Sequence, residues 1–130
     1  MPVTKTVKTL VAEAKEQTNS INPADAHDRQ QAGDAILIDI RDIRELQRDG
    51  RIEGAFHAPR GMLEFWADPD SPYHKEIFAT EGELVLFCAS GWRSALAAKT
   101  LQDMGFSNIR DMEGGLTGGK TASLPIIIED

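Results

Sequence analysis

Two runs of consecutive apolar residues, Ala35-Ile36-Leu37-Ile38, closing on Asp39-Ile40, and Leu84-Val85-Leu86-Phe87, stand out from an otherwise mixed pattern. Short, uninterrupted runs of this kind predict strands buried on both faces. Between and around them the apolar positions recur at helical spacing. Val3, Val7, Leu10, Val11 and Ala14 form one stripe with Lys5, Lys8, Glu13, Lys15 and Glu16 off it, which predicts an amphipathic helix over about residues 4–17. Asn22-Pro23 supplies a cap followed by proline at the first helical position, so a second helix is expected from there to Ala32-Gly33. Asp42 to Arg48 reads as a helix stopped at Asp49-Gly50, Gly61 to Trp66 and Pro72 to Ala79 as short helices, and Ser94 to Leu101 as a helix ending around Met104-Gly105. Further strands are expected at Ala55 to His57, at Asn108 to Asp111 and, at most, at Ile126 to Ile128.

Strands alternating with helices define an α/β domain built on a parallel sheet of about five strands with helices on both faces, preceded by the N-terminal amphipathic helix. Residues 1–18 are read as a helical extension and 19–130 as the domain proper. In such sheets ligands bind beyond the carboxyl ends of the strands, and Leu84 to Phe87 ends on Cys88.

Composition narrows the partners. Fourteen basic against twenty-one acidic residues give a formal charge of −7, which disfavours sequence-independent attraction to nucleic acid or to an anionic membrane. No stretch approaches the roughly 20 apolar residues that span a bilayer. The N-terminal stripe is small and lacks aromatics, so it is expected to pack on the domain or on a second copy, leaving a monomer or a homodimer. Cys88 is the chain's one cysteine, so no internal disulfide and no multi-cysteine metal site can form. A reducing, cytoplasmic setting fits. His27, His57 and His74 show no metal-ligand spacing, and no cofactor is expected.

Cys88 opens the run Cys88-Ala89-Ser90-Gly91-Trp92-Arg93-Ser94, between a strand and a helix. The first N–H groups of a helix lack internal partners and favour an anion. A thiolate is such an anion, and thiolate rather than thiol is the nucleophile. Ala89, Ser90 and Gly91 are small enough for loop N–H groups to turn inward and hold a charged sulfur adduct without reorganising, and glycine permits the left-handed backbone an anion-binding nest needs. The alternative is a buried small hydrophobe at a strand end.

Four motifs in order, Asp39-Ile40-Arg41 with Glu45, Gly50 to Pro59, the Cys88 loop and Glu113-Gly114-Gly115, resemble the rhodanese domain over roughly residues 20–125. The resemblance implies a single-domain sulfurtransferase whose six-residue active loop runs from Cys88 to Arg93. Cys88 would take a sulfane sulfur from a small donor such as thiosulfate, hold it as a persulfide, and pass it to cyanide, a small thiol or a protein acceptor. Ala89, Ser90, Gly91, Trp92, Arg93 and Ser94 are then substrate-binding candidates, joined by Arg60 at the pocket rim beside Glu64 and Trp66. Asp39, Arg41 and Glu45 are expected to be structural neighbours of the site. Arg93 has two readings, an anion clamp or a brace bonded to a carboxylate. Where the family commonly has a tryptophan after the paired glycines, this chain has Gly119, and the last helix is expected to be weakened.

Three other functions compete. A non-catalytic rhodanese-like module would use the loop for docking or sulfur sensing. Dual-specificity phosphatases place five residues between cysteine and arginine, whereas Ala89 to Trp92 makes four, and Phe87 stands where those enzymes have histidine. Gly114 to Thr121 matches the phosphate-loop pattern G-x-x-x-x-G-K-[ST], but Pro125 follows too soon for the substantial helix and later strand that motif needs.

Overall fold

A computed structural model describes residues 2–128. Its main sheet has five parallel strands in the order β1 (Asn19–Ile21), β6 (Ile109–Met112), β5 (Glu83–Phe87), β2 (Ala35–Asp39) and β4 (Phe56–His57). The two apolar runs are the neighbouring strands β5 and β2, held in register from Ala35 beside Glu83 to Asp39 beside Phe87.

Alternation along these strands divides the interior into two cores. Ile38, Ile40, Leu84, Leu86 and Cys88 join the core beneath helices α4 (Leu63–Ala67) and α5 (Trp92–Asp103), whose Leu63, Ala97, Ala98 and Leu101 are buried there. Leu37, Val85 and Phe87 belong to the opposite core, covered by Ala26 of α2 (Pro23–Gln31) and Leu116 of α6 (Gly115–Thr121). Helices therefore cover both faces. α1 (Val7–Gln17) packs outside α5, burying Val11 and Ala14 against Ala95. The rest of its stripe is not covered: Val3, Val7 and Leu10 are exposed.

Local chemistry explains the boundaries. Asn22 accepts from the Asp25 N–H with Pro23 at the helix start. Asp42 and Glu45 form a reciprocal capping box at the start of α3 (Ile43–Asp49), which ends at Gly50.

Three expectations are corrected. The fifth strand of the sheet is β1, which the hydrophobic pattern did not reveal because only Ile21 of its three residues is buried. The strand at Ile126–Ile127, β7, instead pairs antiparallel with β3 (Arg51–Ile52) in a separate ribbon. Over 72–79 only a 3-10 turn forms, at Glu76–Ala79. Phe78 is the one residue of that turn to be buried, so no apolar stripe sustains a longer helix.

Candidate active site

β5 delivers Cys88 to the carboxyl end of the sheet, and Gly91, at φ +115°, turns the chain into α5. That left-handed conformation is what the loop needs a glycine for. The Gly91 N–H points at the sulfur, 3.1 Å from Cys88 Sγ. The Cys88 thiol in turn donates to the Ser94 hydroxyl at 3.5 Å, and Cys88 is only 1% exposed.

The carbonyls at the loop base are drawn away from the sulfur. Leu116 N–H donates to the Cys88 carbonyl at 2.8 Å and Thr117 N–H to that of Ala89 at 3.2 Å. The start of α6 thus caps the cysteine loop. An added Cβ on Gly115, at φ +55°, would lie 2.3 Å from the Cys88 carbonyl oxygen. Gly115 and the Leu116 and Thr117 N–H groups of the phosphate-loop pattern are consequently committed to the cysteine loop.

Arg93 is bound to Glu45 through Nη1–Oε2 at 2.8 Å and Nη2–Oε1 at 2.9 Å. Of the two readings open to Arg93, this contact is the carboxylate bond, which ties the loop's end to α3. The Arg93 guanidinium holds the Glu45 carboxyl below its ordinary range. Arg93 is itself pushed up, chiefly by Glu45, with Cys88 adding in the same direction. Asp39 and Arg41 form a fully buried pair, with Arg41 Nη2 2.8 Å from Asp39 Oδ2 and 2.9 Å from the Gly50 carbonyl. Both bonds fasten the segment beside the loop rather than open onto it.

The remaining rim candidates separate. Arg60 Nη1 pairs with Glu64 at 2.5 Å and Nη2 reaches Thr100 at 3.4 Å, along α5 from the loop. Trp66 packs edge-on against Phe56 with Lys75 over its ring. Leu63 is core, whereas Phe65 is exposed beside Tyr73. Within the loop, Ala89 is partly buried, Ser90 and Trp92 are exposed, and Gly91 and Ser94 are buried. Gly119 is packed, an added Cβ falling 3.2 Å from Ile52 Cδ1, so the glycine fits the small space under Ile52, Leu124 and Met112.

Two cavities flank the loop. One of about 250 Å³ is bounded by Lys15 and Thr18 at the end of α1, Ser20 of β1, Gly91, Asp111 and Glu113. An open groove lies on the other side, between Ser90 and the Thr117–Thr121 face of α6. Neither is lined by Cys88.

Asp111, read in the sequence only as a strand residue, is the functional candidate that reading missed. It lies on the interior strand β6, 5% exposed, with Oδ1 buried and without a hydrogen-bond partner. Burial pushes its carboxyl up to about 6, against opposing effects of a hydrogen bond from Ser94 and the charge of Lys15. A carboxylate in a strand buried on both faces was the signal available.

The chain is similar to known proteins over most of its length. The sequence model of the rhodanese-like domain matches residues 22–122. A thiosulfate sulfurtransferase of Glaesserella parasuis is 29% identical over 112 residues, covering 86% of this chain and 95% of the relative. The solved polysulfide-sulfur transferase homodimer of Wolinella succinogenes is 33% identical with a TM-score of 0.72, over 95% of this chain and 88% of that one. A solved protein of unknown function from Rhodopseudomonas palustris, described as a possible tyrosine phosphatase, is 45% identical with a TM-score of 0.91 over 98% of both chains.

Proposed function

The chain belongs to the rhodanese-like domain family, and from that premise we propose that it is a sulfurtransferase working through a persulfide on Cys88. The observation that carries the reading is the Gly91 N–H directed at Cys88 Sγ from 3.1 Å, with the carbonyls of Cys88 and Ala89 bonded to α6. The loop presents hydrogen-bond donation, not lone pairs, to a sulfur that becomes negative.

The Cys88 thiolate attacks the outer sulfur of a donor such as thiosulfate. A new S–S bond forms, the donor's own S–S bond breaks, and sulfite leaves with the electron pair. The persulfide keeps its charge beneath the loop amides. An acceptor nucleophile, cyanide, a small thiol or a protein thiol, then bonds to the outer sulfur and returns the electron pair to Cys88, a ping-pong sequence. Because Cys88 is 1% exposed, residues 89–92 must part to admit the donor. Ser90 and Trp92, exposed on the loop, are the contacts for donor and acceptor. Arg93, Glu45, Asp39 and Arg41 set the loop's shape, and Ser94 holds the thiol. Residues 1–18 are an extension on the domain formed by 19–130, and the setting is cytoplasmic.

Purified protein given thiosulfate and cyanide forms thiocyanate, and Cys88→Ser abolishes it. Thiocyanate production by Cys88→Ser contradicts the mechanism. A wild type without turnover favours the docking-module reading.

A phosphatase reading is favoured by the description of the Rhodopseudomonas relative. The loop argues against it, with four residues between Cys88 and Arg93 and the Arg93 fork already filled by Glu45. No hydrolysis of p-nitrophenyl phosphate is expected.

A further inference from the structure

Cys88 lies two residues beyond Leu86, so both side chains fall on the α5 face of the sheet and in the same core. β6 is registered beside β5 with Asp111 opposite Leu86. Paired residues of adjacent strands share a face, so Asp111 also points toward α5. Ser94, in the first turn of α5 and fully buried, sits where the two meet. It takes the hydrogen bond from the Cys88 thiol, and the Asp111 carboxyl beside it, buried with Oδ1 unpartnered, has its pKa lowered by the serine hydroxyl. The polarity runs one way, from S–H to O–H to a carboxylate that can only accept.

We propose that Asp111 is a positioning residue that draws the proton from Cys88 through Ser94 and returns it when the thiol re-forms. The inference rests on the sulfurtransferase reading for its purpose but not for its test. In the forward step the Cys88 S–H bond breaks and its proton goes to Ser94 Oγ, while the Ser94 O–H proton goes to the Asp111 carboxylate. The serine is unchanged, no electron is gained or lost, and a thiolate and a carboxylic acid result. The reverse transfer follows release of the sulfur to the acceptor.

Burial suits Asp111 to this work, since a carboxyl that resists ionisation is a better proton acceptor once ionised. Charged groups face it from the surrounding elements. Lys15 of α1 stabilises its ionised form and Glu113, just beyond β6, opposes it. Arg93 of α5 sits nearer the sulfur and is held by Glu45 of α3. β1 brings only the Ser20 hydroxyl to the cavity.

Alkylation by iodoacetamide reads the thiolate directly, because Cys88 is the chain's one cysteine. The wild-type rate should climb through pH about 6, where Asp111 ionises. Asp111→Asn and Ser94→Ala should each lose that limb and react about 100-fold more slowly at pH 7, the lower end of the range for proton-transfer assistance. The double variant should react no more slowly than either single one, since both break one relay. Circular dichroism checks that each variant is folded. The opposite sign overturns the proposal: if Asp111 acts only through its charge, its removal favours the thiolate and Asp111→Asn reacts faster. An unchanged profile, or a wild type unreactive throughout, overturns it as well. Loss of the limb in a protein that makes no thiocyanate would keep the relay and refute the sulfur transfer. Turnover with the limb intact in Asp111→Asn would do the reverse.

Discussion

Arg93 and Glu45 join the last residue of the cysteine loop to α3 by two parallel bonds of 2.8 and 2.9 Å. Glu45 also accepts the Asp42 N–H in its helix-capping box, so one carboxylate fixes both the helix start and the loop end. The Arg93 side chain is 43% exposed, which limits the strength of the pair. Glu45→Gln should cost about 1 kcal/mol, read as a fall of about 3 °C in Tm. Because the folded Glu45 carboxyl titrates below its ordinary value of 4.5, the pair's contribution is present above that pH and is lost as pH falls through the folded value. Wild type and variant should therefore converge in strong acid.

Asp111 has the opposite sign. Its folded carboxyl titrates at about 6 against an ordinary 3.8, so the cost of ionising it in the fold is absent below pH 3.8 and grows as pH rises through 6. Asp111→Asn should be more stable than wild type by about 3 kcal/mol at pH 7, and equal to it near pH 3.5. Urea denaturation at the two pH values checks this. A variant less stable at pH 7 would mean that the carboxylate is paired.

Gly115 is pressed against the cysteine loop with no space for a side chain. Gly115→Ala should cost about 3 kcal/mol or more through the positive φ and the clash with the Cys88 carbonyl. It should also depress thiocyanate formation, since the loop base must shift. Gly61, which has open space around it, provides the control: Gly61→Ala should change neither stability nor turnover appreciably.

Arg41→Ala should leave Asp39 charged and alone in the interior, at about 3–5 kcal/mol. If the pair is structural, as its burial and the bond to the Gly50 carbonyl argue, the fraction that remains folded should keep its turnover per molecule. Normal stability with lost turnover would instead assign Arg41 to the chemistry.

Much of this arrangement was legible in the chain. The runs at 35–38 and 84–87 announced the central strands because strands buried on both faces carry no polar alternation, and Asn22-Pro23 and Gly91 announced their turns through backbone chemistry that few other residues satisfy. What the sequence hid depends on neighbours distant along the chain. Asn19–Ile21 becomes a strand by pairing with β6. The glycine-rich stretch at 114–121 reads as a phosphate cradle until the Cys88 and Ala89 carbonyls are seen on its N–H groups. Asp111 acquires meaning only when β6 is set beside β5. Leu63 and Phe65 read alike in sequence, yet one is core and the other surface, because α4 is too short to establish a period.

The most direct measurement is the intact mass of the protein after brief exposure to thiosulfate and removal of excess reagent. The wild type should gain one sulfur atom, lose it on addition of cyanide, and gain none when Cys88 is replaced by serine. An unchanged wild-type mass, or a sulfur still acquired by Cys88→Ser, would contradict the account.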